Sequence, residues 1–264
     1  MVYINYNLFF IKFLYFPVNM LWHMLQQFWL LLLAVFDAVT KHIIYLRRTR
    51  NVEVLTTQGL TNISTCTPSI NITSGHHVID ILNFNNPHNL QHINNFCLNG
   101  SMVKYLPEFK GMHLLTQLTL TNNCINSIKS ISSLVNLTSL NISNNPIGEG
   151  LYVLGNLKAL KELRISNIRL DDSNFPDISN LENLHYLDIS MNDLKKIPEV
   201  FNLKSLWMLD LRDNRLDQID ERIIMLSELR RFHVENNNIE TIPLEILELK
   251  DLVSFGVSGN LFGT

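Results

Sequence analysis

The 264-residue sequence predicts an α/β solenoid, a horseshoe of stacked coils with a short parallel sheet on its concave side, preceded by an N-terminal hydrophobic helix, transmembrane or signal. Three observations carry this. One apolar template recurs about every 23 residues from Ile93 onward, and each copy opens on a strand-like alternation of apolar and polar positions. Near the N-terminus, 24 consecutive residues carry no charged side chain.

That uncharged stretch runs from Phe13 to Phe36 and is interrupted by Pro17, Asn19, His23, Gln26 and Gln27. It is long enough to span a bilayer. Its densest part, Phe28 to Phe36, also has the length of the apolar region of a secretory signal. Only Lys12 precedes it, and the exit Asp37-Ala38-Val39-Thr40-Lys41 offers no small-x-small cleavage site, so an anchor fits better than a cleaved signal. Residues 1–50 net +4, and Lys41, Arg47, Arg48 and Arg50 follow the apolar run. Basic flanks stay on the cytoplasmic side, which predicts a single-pass membrane protein with a cytosolic array. The alternative is a secreted or extracellular body. Five N-x-S/T sequons (Asn62, Asn71, Asn99, Asn136, Asn141) argue little for it, because 32 Asn with 32 Ser and Thr in 264 residues give 32 × 32/264, about four, by chance.

Residues 51–92 read as a linker and N-terminal cap, rich in Ser, Thr, Asn and His, with one apolar patch at Val78, Ile79, Ile81 and Leu82. His88 and His92 have an i, i+4 spacing, but Pro87 and the Asn-rich context argue for a loop, and no acidic residue completes a metal set. The three cysteines, Cys66, Cys97 and Cys124, are too few for a disulfide scaffold, and a Cys66–Cys97 bridge is the one pairing left open.

Residues 93–264 hold the template LxxLxLxxNxL, with copies starting at 93, 115, 137, 160, 184, 206, 229 and 252, the last one incomplete. Alternation within LxLxx marks a short strand with one apolar side, and a single copy cannot bury that side alone, so the copies must stack. The asparagines Asn123, Asn145, Asn192, Asn214, Asn237 and Asn260 follow the strands, and their amides are suited to bonding backbone groups of the turn as a ladder. Ser101 and Ile168 replace Asn in two copies and predict gaps. Return segments such as Ile128, Ile131 and Leu134, Ile197-Pro198 and Ile242-Pro243 close the coils as extended or short helical turns. The chain ends four residues after Asn260, which reads as a fragment of a longer protein or an edge covered by a partner.

On these residues the sequence resembles the leucine-rich repeat family, in its short, cysteine-poor, intracellular form, over about two thirds of the chain. The resemblance implies a non-catalytic scaffold or signalling adaptor that binds a protein on its concave face. A receptor or adhesion ectodomain, or a regulatory subunit of an enzyme such as a phosphatase or ligase, are the alternatives.

Nothing in the chain points to catalysis or a cofactor: there is no glycine-rich phosphate loop, H-E-x-x-H or G-x-S-x-G. The net charge of −3, of which residues 160–264 carry −7, leaves no basic face of the size nucleic acid needs, and a small-molecule substrate has no site. What remains is surface. The outward strand positions of the early copies are small and neutral, whereas from Arg164 to Glu235 they turn charged and aromatic. Interface hot spots favour Trp, Tyr and Arg, so the candidate partner-binding residues are Arg164, Tyr186, Asp188, Trp207, Met208, Asp210, Arg212, Arg231, His233 and Glu235.

Overall fold

The computed structural model describes residues 69–73, 91–109 and 111–262. The apolar run Phe13 to Phe36, His88 and Cys66 lie outside them, and with them the expected anchor or signal, the His88–His92 pairing and the Cys66–Cys97 bridge. Among the described residues Cys97 and Cys124 are free thiols, and no helix is long and apolar enough to cross a membrane.

Among the described residues nine strands form one parallel sheet in chain order: β1 Ser69–Thr73, β2 Asn95–Asn99, β3 Gln117–Thr119, β4 Ser139–Asn141, β5 Glu162–Arg164, β6 Tyr186–Asp188, β7 Met208–Asp210, β8 Arg231–His233 and β9 Ser254–Gly256. The register is that of the sequence template, since Leu118, Leu140, Leu163, Leu187, Leu209, Phe232 and Phe255 pair in succession. β1 adds a strand upstream of the eight copies, with Ser69 opposite Asn95. It lies in the segment read as linker and cap, at a spacing of 26 residues, and lacks the Leu and Asn signals of the template.

The template leucines and isoleucines line a continuous core from Ile93 to Leu249, and Leu115, Leu118, Leu120 and Ile125 of one coil are at most 1% exposed. The α part of the expected α/β class is not found among the described residues. Their returns are extended or are short 3₁₀ turns, Lys129–Ser133, Leu151–Asn156, Glu221–Met225 and Leu244–Glu248. A coil of 22 to 24 residues has few left to travel back after its strand and loop, and the 3₁₀ form covers about 2.0 Å per residue against 1.5 Å for α. Gly150 opens the second turn at φ 86°, where a Cβ would meet the Lys129 backbone nitrogen, so glycine satisfies both the backbone and the close approach. The longest return between the template strands, from β5 to β6, has no 3₁₀ turn. Asp171 and Asp177 instead tie it down, each accepting from the hydroxyl and backbone N–H two residues on, at Ser173 and Ser179.

The asparagine ladder stitches coil to coil. The Asn192 amide donates to the Ile189 and Ser190 carbonyls of its own turn and to Ile165 of the preceding coil, while its oxygen accepts from the Ile168 and Leu170 N–H groups. Asn123, Asn145, Asn214, Asn237 and Asn260 make the same kind of set. At Ile168 the ladder breaks, as the substitution predicts, and the Ile147 N–H turns to the Asn145 backbone carbonyl instead. The residue before each ladder position takes a positive φ: Gly100, Asn122, Asn144, Asn167, Met191, Asp213, Asn236 and Gly259. Gly, Asn and Asp tolerate that region, so this column is a second signature of the repeat.

Candidate partner-binding face

The concave face is the row of outward side chains on β2 to β9. The pairings set Arg164 beside Asp188, Asp188 beside Asp210, and Asp210 beside His233, as the template spacing requires. Tyr186 lies beside Met208, which lies beside Arg231.

Chemistry divides the candidates into two groups. The first is bound up with the scaffold. Asp210 is 1% exposed and Met208 8% exposed, so neither presents the free side chain expected of an outward position. Asp210 is drawn back by its own chain. The N–H two residues after the central strand position finds no backbone acceptor, because the three-residue strands have run out of ladder there. Side chains cap it instead: Asn141 accepts from Ser143, Asp188 from Ser190, and Asp210 from Arg212. Asp210 further binds the Arg212 guanidinium through Nε at 2.9 Å and Nη2 at 2.6 Å. These bonds from the carboxylate hold Arg212 above the ordinary arginine pKa, with Glu235 and Asp188 adding to the field. Ser190 donates its hydroxyl proton to Asp188 at 2.6 Å and accepts from the Ser166 hydroxyl at 2.9 Å, extending the caps into a hydroxyl ladder. Glu235 lies against His233 Nδ1 at 3.2 Å and fills the space over Gly256, where a Cβ would collide with its carboxylate.

The second group is a row of rings and guanidinium groups. The Arg164 guanidinium lies over the Tyr186 ring at 4.6 Å, Tyr186 meets Trp207 edge to face at 6.3 Å between centroids, and Arg231 lies over Trp207 at 5.9 Å. Both rings are half-buried and Arg231 is exposed. Arg164 reaches Glu162 at only 3.8 Å. Lys161, His185 and Arg230 occupy the template position of Trp207 in neighbouring coils, and Lys161 and Arg230 are exposed. Sequence reasoning passed over them because it took Trp207 alone from that row.

The early strands carry Thr119, Asn141 and Ser143 in the same columns and no aromatic side chain there. Burial raises the pKa of the Cys97 thiol on β2, which keeps it in its unreactive form. Among the described residues no cluster of three His, Cys, Asp or Glu side chains could hold a metal ion.

A parallel solenoid whose coils are tied by an asparagine ladder defines a repeat scaffold that presents one face. Residues 108–147 match the family described as leucine rich repeat, which supports the resemblance to leucine-rich repeat proteins. Such proteins are typically binding scaffolds for other proteins rather than enzymes. No curated protein matches the chain. A leucine-rich repeat protein of Leptospira interrogans is similar in structure, with a TM-score of 0.67 and 25% identity over 81% of this chain. The structure of PEPR1–AtPEP1 is similar over 64% of this chain, with a TM-score of 0.53 and 29% identity. This chain spans 56% of the former's length and 24% of the latter's. An internalin C2 from Listeria monocytogenes, at 20% identity, TM-score 0.54 and coverage of 77% of this chain and 84% of its own, shares the fold.

Proposed function

We propose that the array is a non-catalytic protein-interaction module that binds a protein partner on the later half of its concave face, β5 to β8, as a scaffold or signalling adaptor. The observation that carries this is the Arg164–Tyr186–Trp207–Arg231 row, four large side chains each lying against the next across four coils. Half-buried aromatic rings held by neighbours lose little conformational entropy on binding, and Trp, Tyr and Arg dominate interface energetics. His233, Glu235 and Asp188 rim the row, while Asp210, Arg212 and Met208 support it from the scaffold. The likeness to PEPR1–AtPEP1 favours a protein ligand over a small molecule.

The test compares proteins retained by immobilised wild type, Trp207→Ala and Thr119→Ala, with melting curves alongside. Trp207→Ala should cost at least about 2 kcal/mol in affinity for the retained partner, and Thr119→Ala should change little. Equal retention by both variants would place the partner elsewhere.

We further propose that residues 1–50 tether the array, 93–264, to a membrane through Phe13 to Phe36, with 51–92 as linker and cap and the array in the cytosol. Its support is the basic cluster after the apolar run. Protease added outside intact cells should leave the array uncut until permeabilisation. A mobility shift removed by endoglycosidase would reverse the topology, and a glycan on Asn141 would also cover the concave face.

A further inference from the structure

Not all arginines of this face are held in the same way. Asp210 occupies the in-plane N–H groups of Arg212, and on the convex side Glu199 and Asp220 occupy those of Arg222. Arg164 and Arg231 lie instead over aromatic rings, Arg164 4.6 Å from the centre of Tyr186 and Arg231 5.9 Å from that of Trp207. A guanidinium held over a ring by cation–π attraction does not use up its N–H donors there, and their fork matches a carboxylate. Among the described residues no carboxylate lies within ion-pair distance of Arg231, and that of Arg164 is at the outer limit of 3.8 Å. The scaffold therefore holds Arg231 with no carboxylate partner among the described residues and Arg164 with a single distant one.

We propose that this row receives an extended acidic segment of the partner, carrying two carboxylates about four residues apart with an apolar side chain between them; this rests on the concave-face reading above. Arg164 and Arg231 stand three strand steps apart, about 14 Å at roughly 4.8 Å per step. An extended chain advances about 3.3 Å per residue, so residues i and i+4 are about 13 Å apart. The edge-to-face pair Tyr186–Trp207 lies between the two cations and offers the apolar surface for the intervening side chain. A continuous polyanion fits less well. Glu162 and Asp188 share the face with the two cations, and residues 160–264 net −7, so a phosphate chain would meet repulsion that separated carboxylates avoid.

The experiment pans a displayed library of random dodecapeptides against the full chain in mild detergent, in parallel with Arg164→Gln, Arg231→Gln and Trp207→Ala, each with a melting curve. Selected peptides should carry Asp or Glu pairs three to five residues apart around an apolar residue. A selected synthetic peptide should bind at least about tenfold more weakly when its acids become Gln, and likewise when either arginine becomes Gln at unchanged melting temperature. Peptides that need Trp207 but contain no acidic pair would overturn the acidic-segment proposal and leave the concave-face reading standing. Peptides indifferent to all three substitutions would overturn both. Binding of single-stranded oligo-dT with affinity equal to the best peptide would overturn the choice of peptide over polyanion.

Discussion

Arg212 closes over both carboxylate oxygens of Asp210, two residues before it, with Nη2 at 2.6 Å from Oδ2 and Nε at 2.9 Å from Oδ1. The carboxylate is 1% exposed, whereas the guanidinium side chain is 49% exposed. Removing the arginine therefore strands a buried charge, while removing the acid strands an exposed one. Arg212→Met should destabilise by about 1–3 kcal/mol, below the figure for a fully buried pair because solvent screens the half-exposed guanidinium. Asp210→Asn keeps a side-chain oxygen for the Arg212 N–H and should cost less. The double variant should recover part of the Arg212→Met loss in a denaturation cycle. Strictly additive losses would mean that the pair contributes nothing as a pair.

Leu209 lies at the centre of β7, 0% exposed, paired with Leu187 and Phe232. Leu209→Ala should cost about 2–5 kcal/mol through lost burial and a cavity. Asn214 donates to the Ile189, Leu211 and Arg212 carbonyls and accepts from the Leu194 N–H. Asn214→Ala leaves several of these groups without partners in a site that is 8% exposed, and about 1–3 kcal/mol follows. Chemical denaturation checks both, and a wild-type midpoint for Leu209→Ala would contradict the register.

The register was legible in the sequence because each full copy fixes five positions, and a slip by one residue would turn every strand leucine outward. β1 was not, since Ile70 and Ile72 alone match the template where Leu and Asn are required. Binary alternation assigned Tyr186 and Arg231 to the outward strand positions but could not show that Asp210 bends back onto its own backbone, because a side chain's choice between solvent and a nearby N–H depends on where the ladder bonds end. Nor could adjacency distinguish Arg212, with its N–H groups taken by Asp210, from Arg231, which lies over the Trp207 ring.

Met191 is the one long apolar side chain in the positive-φ column from Asn122 to Gly259, at φ 56°, and it is 54% exposed. For an L-residue without a short polar side chain that conformation costs about 1–2 kcal/mol, and little burial offsets it here. Met191→Gly should leave stability unchanged or raise it by up to about 1 kcal/mol, relief of strain outweighing the added freedom of the unfolded chain. Asn236→Ala at the same template position should be destabilising, since it also removes the amide bond to Asp213. A fall in melting temperature for Met191→Gly would show that its side chain packs more productively than its exposure indicates.

The last prediction concerns acid. The Lys129 ammonium, 2.7 Å away, holds the Glu149 carboxyl below the usual carboxylate range. The hydroxyls of Ser173 and Ser179 do the same for Asp171 and Asp177, and the Arg222 guanidinium for Asp220. A carboxylate whose pKa is depressed by folding contributes stability that is complete above its unfolded value, about 4, and is lost as pH falls through the folded value. The raised pKa of Lys129 acts at the opposite end, adding stability that is lost only at strongly alkaline pH. The melting temperature should therefore change little between pH 7 and pH 5 and fall between about pH 4 and pH 2. Asp220 also caps the Glu221–Met225 turn by accepting from the Arg222 N–H. Asp220→Asn should accordingly lower the melting temperature at pH 7 and shrink the drop toward pH 2, since the variant has one depressed carboxylate fewer to protonate. Differential scanning calorimetry at pH 2, 3, 4, 5 and 7 measures both effects. A wild-type melting temperature at pH 2 equal to that at pH 7 would show that these surface bonds do not persist in solution.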